Sequence, residues 1–317
     1  MYDIIILGSG PAGLTAALYA ARANKKTLVL AGPELGGQAN IIHSLENYPG
    51  FRGTGSDFAE VAKKQVLDHG AEIVMASAKS VTGNQLPVTR DQDQSGHGSL
   101  VTGYHILADN GTEYKSRAVI IATGAKPRRL DIKGAREYAG RGLSYCATCD
   151  GFFYSGKDVI VVGGGNSALS DALYLANLAK TVTIVYRKDA FARAEEIQVD
   201  RVNETPNIRK MFSTELAEVG GDGAVLTHVV TTAGEKINCD GVFIAIGHEA
   251  NTDFLSEEFK RDAEGRLIPE SLPDGMYVAG DVRANIKMQV AAAVGTGCEC
   301  AISAIERLNM KKQKNYI

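Results

Sequence analysis

Ile4-Ile5-Ile6-Leu7-Gly8-Ser9-Gly10-Pro11-Ala12-Gly13 decides the fold. Four apolar residues in a row read as a short strand buried on both faces, as in a parallel sheet. The strand runs straight into G-x-G-x-x-G. Leu14 to Asn24 follows as a helix rich in small residues, and Thr27 to Leu30 is a second strand. Strand, glycine turn, helix and strand in that order are the context in which this motif binds a dinucleotide. Gly8 permits the turn, Gly10 lets the backbone approach a pyrophosphate, and Gly13 lets helix and strand pack closely. The phosphates belong on the helix N-terminus, where free N–H groups and the helix dipole favour anions. The second strand ends on Ala31-Gly32 instead of the acid that usually holds a ribose hydroxyl; Glu34 follows shortly after.

The pattern recurs. Val159 to Val162 is a strand, Gly163-Gly164-Gly165-Asn166-Ser167-Ala168 is G-x-G-x-x-A, Asp171 to Leu178 is a helix and Thr181 to Val185 a strand. That strand ends on Tyr186-Arg187-Lys188, with Arg193 six residues past Arg187. A free ribose 2′-OH is normally met here by an acid and a 2′-phosphate by Arg or Lys, so these residues favour NADP over NAD. The competing reading, a solvated basic run, fits Lys188 better than Arg187 at the strand end. Two fingerprints imply two cofactors or one duplicated architecture. Val119–Gly124 and Gly241–His248 are further strand-to-turn segments of similar pattern, and Gly275–Asp281 is a strand ending in Gly280-Asp281. The chain is expected to cross between domains near Gly124.

Between the two fingerprints stands Cys146-Ala147-Thr148-Cys149-Asp150. Two intervening residues let both sulfurs meet on one tight turn, so the pair is a redox couple or half of a metal site. Zinc needs two more ligands. The other cysteines, Cys239, Cys298 and Cys300, offer no second pair at that spacing. A pair of inert buried thiols is the third reading. The flanking nucleotide motifs favour redox chemistry.

The chain has 317 residues, a length suited to about two domains. Its 44% apolar content allows a large core, and the net charge of −3 gives no sign of nucleic acid or an anionic membrane as partner. No apolar run approaches the ~18 residues of a membrane helix. Met1-Tyr2-Asp3 leads directly into the first strand and does not read as a signal peptide. Five cysteines with one close pair do not make a secreted disulfide framework, which points to the cytoplasm. Gly36-Gly37-Gln38 and Asn47-Tyr48-Pro49-Gly50-Phe51 read as loops, residues 56 to 70 as an amphipathic helix, and about 84 to 101 as an exposed polar hairpin tip or insertion. A helix is expected over Gln289 to Leu308, and a solvated tail over Lys311 to Ile317.

In order along the chain stand GxGxxG, GGQ, NYPGF, ATGA, CATCDG, GGGNSA, AIGHEANT and AGDVR. This series resembles the low-molecular-weight thioredoxin reductases of bacterial type, essentially end to end. CATCDG lying between the two fingerprints is the most specific mark. The resemblance implies an α/β chain of two Rossmann-like three-layer domains. A discontinuous FAD domain spans 1–123 and 247–317. An NADP domain, 124–246, is inserted into it and carries the redox pair.

The same resemblance implies a homodimeric FAD- and NADPH-dependent enzyme that reduces a disulfide on a thioredoxin-like protein. Cys149 would face the flavin, Cys146 would attack the partner, and Asp150 would be the general acid. One domain would rotate against the other between the two half-reactions. FAD contacts carry over to Gly8, Gly10, Pro11, Ala12, Gly13, Gly37, Gln38, Asn47, Thr123, Gly124, Gly280, Asp281 and Gln289, with Asp281 on the ribityl chain. NADP contacts carry over to Gly163, Gly165, Asn166, Ser167, Arg187, Lys188 and Arg193. No metal is implied.

The chain departs from the family in three places. Tyr186-Arg187-Lys188 replaces His-Arg-Arg and Arg193 comes one residue late. Met288-Gln289 replaces Arg-Gln. The polar insertion has no counterpart role. The weakened basic motif keeps open a related flavin enzyme fed by NADH or ferredoxin or working as a thiol oxidase; a third reading, from another class, is a nucleotide-binding redox sensor that does not turn over.

Overall fold

The computed structural model describes residues 1–42, 45–87, 100–192 and 194–313. The chain divides into two compact units. The first is Met1–Lys126 with Glu249–Ile317, and the second is Pro127–His248.

The first unit opens as β1 (Tyr2–Leu7), α1 (Pro11–Arg22) and β2 (Thr27–Leu30). After α2 (Gly55–Asp68) come β3 (Glu72–Val74), β4 (Ala78–Pro87), β5 (Leu100–Ala108) and β6 (Glu113–Ile121). β4 and β5 pair antiparallel as the two arms of the expected polar hairpin, whose central part, residues 88–99, lies outside the described residues. The chain leaves through β7 (Ala125–Pro127).

The second unit holds β8 (Leu143–Ser144), α3 (Ala147–Asp150), β9 (Asp158–Val162), α4 (Asn166–Ala176), β10 (Thr181–Val185), α5 (Glu196–Glu204) and β11 (Ile208–Met211). Then follow β12 (Leu216–Gly221), β13 (Leu226–Thr231), β14 (Lys236–Asn238) and β15 (Gly241–Ile244). The chain returns through β16 (His248–Ala250), and the first unit is completed by β17 (Met276–Val278) and α6 (Val290–Gln313).

In the first unit β1 pairs in parallel with β2 and β6, and β17 joins β6 on its other side. The returning segment therefore supplies a strand to the sheet that the first segment began. Alternation along β1 sets the layers. Ile4 and Ile6 point into the core shared with α1 and α6, and Ile5 and Leu7 into the core shared with β5 and the segment around Leu255 and Leu267. The second unit repeats the scheme. Its parallel sheet runs β11-β10-β9-β15-β8. Val159 and Val161 meet α4 and α5, whereas Ile160 and Val162 meet the antiparallel β12-β13-β14 sheet. Each unit is thus helices, parallel sheet and a third layer. A strand buried on both faces needs apolar residues at every position, which explains the unbroken runs Ile4–Leu7 and Val159–Val162.

The helices begin earlier than the sequence suggests. α1 starts at Pro11 and not at Leu14, and α4 at Asn166 and not at Asp171. Glycines and small polar residues looked like loop, but the fingerprint is itself the first helical turn. Conversely α2 ends at Asp68, before Gly70, and α6 begins one residue after Gln289.

Asp171 lies half-buried on α4 with no hydrogen-bonding partner among the described residues, and burial pushes its carboxyl up to about 7. A carboxyl raised in the folded state favours folding while it is protonated, and that contribution is lost as pH rises through about 7. Asp171→Asn is therefore expected to stabilise the chain by about 1–2 kcal/mol at pH 8 and to change little below pH ~4. Urea midpoints measured across that range check this; a pH-independent difference would contradict it.

Candidate functional site

Two turns of the same construction dominate the molecule. Gly8 has φ +107° and Gly163 φ +145°, backbone conformations that side chains rarely adopt. A Cβ on Gly8 would collide with the carbonyl of Ala122, at the end of the neighbouring β6. A Cβ on Gly163 would collide with the carbonyl of Ala245, just past the neighbouring β15. Both turns therefore press against the end of the adjacent strand. α1 and α4 then start on Gly10 and Gly165 with no capping side chain and no acid in the first turn. The surface helix α2, by contrast, carries a full capping box between Thr54 and Asp57. Uncapped N-termini leave backbone N–H groups free for an anion, which is the donor set that a pyrophosphate needs.

Around the first turn the structure gathers the residues expected for FAD. Gly36 (φ +93°) and Gly37 (φ +55°) fold the GGQ segment against Gly10, and the Gly36 N–H donates to the Ser9 carbonyl at 3.1 Å. Gln38 donates its side-chain amide to the carbonyl of Ala125. Asn47 donates to the Gln289 side chain at 3.0 Å, joining residues 242 positions apart. Thr123 Oγ1 donates to the Asn251 carbonyl at 2.7 Å, and the Asn251 amide returns a bond to the Thr123 carbonyl at 2.9 Å. Gly280 (φ +71°) brings the Gly280-Asp281 turn onto Ala12 at the start of α1. Asp281 has no side-chain partner among the described residues, and burial pushes its carboxyl up to about 6. A half-buried acceptor without a donor beside an uncapped helix fits a ligand rich in hydroxyls and phosphates. The residues present therefore fit FAD.

In the second unit Gly163, Gly165, Asn166 and Ser167 form the corresponding turn. Ala168 replaces the third glycine, its Cβ 3.0 Å from where a Gly163 Cβ would stand. Arg187 and Lys188 are exposed just past the end of β10. Arg193 lies outside the described residues. The Asn166 side chain is already engaged. Its nitrogen donates to Glu195 Oε1 at 3.1 Å and its oxygen accepts from the Glu195 N–H at 2.7 Å.

Cys146 and Cys149 form a disulfide. Cys146 precedes α3 and its Sγ accepts from the Cys149 N–H at 3.1 Å; Thr148 Oγ1 stands 3.2 Å away. Those two groups would favour a thiolate at Cys146 once the bond is reduced. Cys149 is the more exposed residue. Asp150 accepts from Ser144 Oγ at 2.6 Å, and the same hydroxyl accepts from the Cys146 N–H at 3.0 Å. Cys239 and Cys300 are buried and their thiols pushed up to about 12 and about 11, chiefly by burial, so neither is a reactive thiolate.

Sequence reasoning missed three features. Ser144 sits at the end of a two-residue strand with no motif around it, and its role is visible only as hydrogen bonds. Glu195 belongs to no motif, and its pairing with Asn166 is visible only in the fold. Phe152 and Phe153, shortly after the CxxC turn, belong to no motif and are 74% and 70% exposed, beyond every other large hydrophobic residue described. Two adjacent exposed rings present apolar surface to solvent in this unit.

Paired dinucleotide turns and a reversible disulfide define a class of protein that moves electrons between nucleotide cofactors and a dithiol. The chain belongs to the pyridine nucleotide-disulphide oxidoreductase family, whose model matches residues 2–297. Thioredoxin reductases are among its relatives. The one from Rickettsia felis is 37% identical over 96% of this chain and 98% of its own length. That from Rickettsia bellii is 39% identical over the same shares. Among solved structures, thioredoxin reductase from Lactococcus lactis aligns with a TM-score of 0.85 at 33% identity, covering 96% of this chain and 98% of its own. The thioredoxin reductases of that family work with FAD and NADPH, and this chain is an oxidoreductase of that kind.

Removing the hydroxyl that holds both Asp150 and the Cys146 N–H should loosen the acid and leave a half-buried N–H unpaired. Ser144→Ala is expected to cost about 1–2 kcal/mol of stability and to slow disulfide turnover several-fold without slowing flavin bleaching by NADPH. Turnover with thioredoxin at the native rate would show that Ser144 does not position Asp150.

Proposed function

We propose that this chain is an NADPH-dependent thioredoxin-disulfide reductase in which Cys146 and Cys149 are the redox pair and Asp150 the proton donor. The disulfide of a two-residue CxxC turn, standing in the chain after one uncapped dinucleotide helix and before the other, is the observation that carries this reading. Bound FAD supplies a two-electron relay between the nicotinamide and the disulfide. Ala12 and Gly13 would offer N–H groups to its pyrophosphate, and Pro11, which has no N–H, would start the helix beside it. Asp281 would accept from a ribityl hydroxyl, and the Asn47–Gln289 pair and the Thr123-Gly124 turn would flank the rest. In the second unit the α4 N-terminus would take the NADPH pyrophosphate, and Arg187 and Lys188 the 2′-phosphate.

The chemistry at sulfur is exchange. In the reduced pair, the Cys146 thiolate attacks one sulfur of the partner's disulfide, and the other leaves as a thiolate that takes a proton. Cys149 then attacks Cys146 in the mixed disulfide, releasing the second partner thiolate and restoring the Cys146–Cys149 bond. Each departing sulfur needs a proton, and Asp150, held by Ser144, stands next to the pair. The partner must present apolar surface to Phe152 and Phe153, as a thioredoxin-like protein would around its own disulfide. A homodimer and a cytoplasmic site, where electron flow keeps such a pair working, complete the proposal. No helix among the described residues is long and apolar enough to cross a membrane.

The Cys146→Ser variant tests the assignment. Flavin reduction by NADPH should persist and thioredoxin reduction should vanish; surviving thioredoxin turnover would refute it. Exchanging Phe152 and Phe153 together for alanine should raise the KM for thioredoxin about 10–100-fold, the value of burying one or two such rings, with the reduction of the small disulfide reagent DTNB retained. An equal loss with DTNB would mean that the rings support the fold and not the docking.

A further inference from the structure

The loop that carries Arg187 and Lys188 is attached to the second glycine turn at both of its ends. At its start, the ring of Tyr186 lies on Gly164: a Cβ on that glycine would stand 2.4 Å from Tyr186 Cδ1. The ring is buried, stacks on Phe191 at 6.0 Å, and Phe191 in turn meets Phe212 edge-on at 4.9 Å. At its end, Glu195 makes the two-way bond with Asn166, side chain to side chain at 3.1 Å and backbone N–H to side chain at 2.7 Å. Asn166 is the first residue of α4 and Glu195 immediately precedes α5. One residue pair thus ties the phosphate turn to the far end of the basic loop.

We infer that Asn166 and Glu195 are positioning residues for nucleotide selection: their paired hydrogen bonds, with Tyr186 packed on Gly164, fix the separation between the pyrophosphate site and the basic residues that read a 2′-phosphate. This rests on the reading that Arg187 and Lys188 meet that phosphate. It changes the part assigned to Asn166. With its amide nitrogen and oxygen both turned to Glu195, Asn166 serves the nucleotide through its backbone N–H and through the clamp, not as a side-chain ligand. It also explains how a loop with a reduced basic motif discriminates. Two cations held at a set distance lose little conformational freedom on binding, whereas the same cations on a loose loop must be ordered by the ligand. Glu195 itself is an anion near an anion site, so its carboxylate has no direct attraction for the nucleotide, and its value must come from geometry.

The test compares 2′,5′-ADP with 5′-AMP by calorimetry on the oxidised holoenzyme. Glu195→Ala and Asn166→Ala should weaken 2′,5′-ADP about tenfold and 5′-AMP less than twofold. Glu195→Gln, which keeps the acceptor oxygen, should bind both as the native chain does. In steady state Glu195→Ala should raise KM for NADPH by the same factor with kcat retained, narrowing the preference over NADH. Unchanged 2′,5′-ADP binding in Glu195→Ala, or an equal loss for both nucleotides, would overturn the clamp. Arg187→Ala separates the two levels. If it loses 2′,5′-ADP while Glu195→Ala does not, only the clamp fails. If neither loses it, the reading of the basic loop fails and the clamp with it.

Discussion

Everything in this chain depends on a strand that turns into a helix through a glycine with positive φ, leaving the helix N-terminus uncapped. The turn has no room for a side chain because the adjacent strand's end lies against it, Ala122 behind Gly8 and Ala245 behind Gly163. The uncapped N–H groups cost stability unless something occupies them. α2 shows the alternative: Thr54 and Asp57 satisfy its first turn. α1 and α4 lack both a capping side chain and a first-turn acid, which leaves their first N–H groups available to an anionic ligand.

The redox turn is built on the opposite principle, with its polar groups satisfied internally. Ser144 holds Asp150 and the Cys146 N–H, and the Cys149 N–H reaches back to Cys146 Sγ. Polar groups that are already placed need not reorganise when charge moves to sulfur. The unpaired features lie outward, in the two exposed phenylalanine rings. Rigid chemistry beside an apolar contact surface suits a protein that must meet another macromolecule repeatedly and release it.

The parts legible in the sequence were those written as local chemistry. Ile4–Leu7 and Val159–Val162 announce strands buried on both faces, the glycine spacing announces the turns, and CATCD announces the disulfide. Asn47 and Gln289, expected at one site from motifs far apart, do meet in the structure. What stayed hidden was relational. The starts of α1 and α4 were misread because glycine and proline signal loop until one sees that the first helical turn is the binding element. Ser144 and Glu195 act through hydrogen bonds to residues that no spacing rule connects. Phe152 and Phe153 lie in no motif, and only the fold reveals that both rings are exposed. The three-stranded β12-β13-β14 layer left no motif at all.

In a reductase of this kind, electrons from NADPH arrive at Cys146 and Cys149. The direct measurement is a thiol count on the purified yellow protein, before and after one equivalent of NADPH without oxygen, with the flavin band near ~450 nm followed at the same time and the alkylated cysteines located by mass spectrometry. The account predicts two new thiols per chain, at Cys146 and Cys149, appearing as the flavin band returns. Flavin that bleaches and stays bleached with no new thiols would contradict it, as would new thiols at any other cysteines.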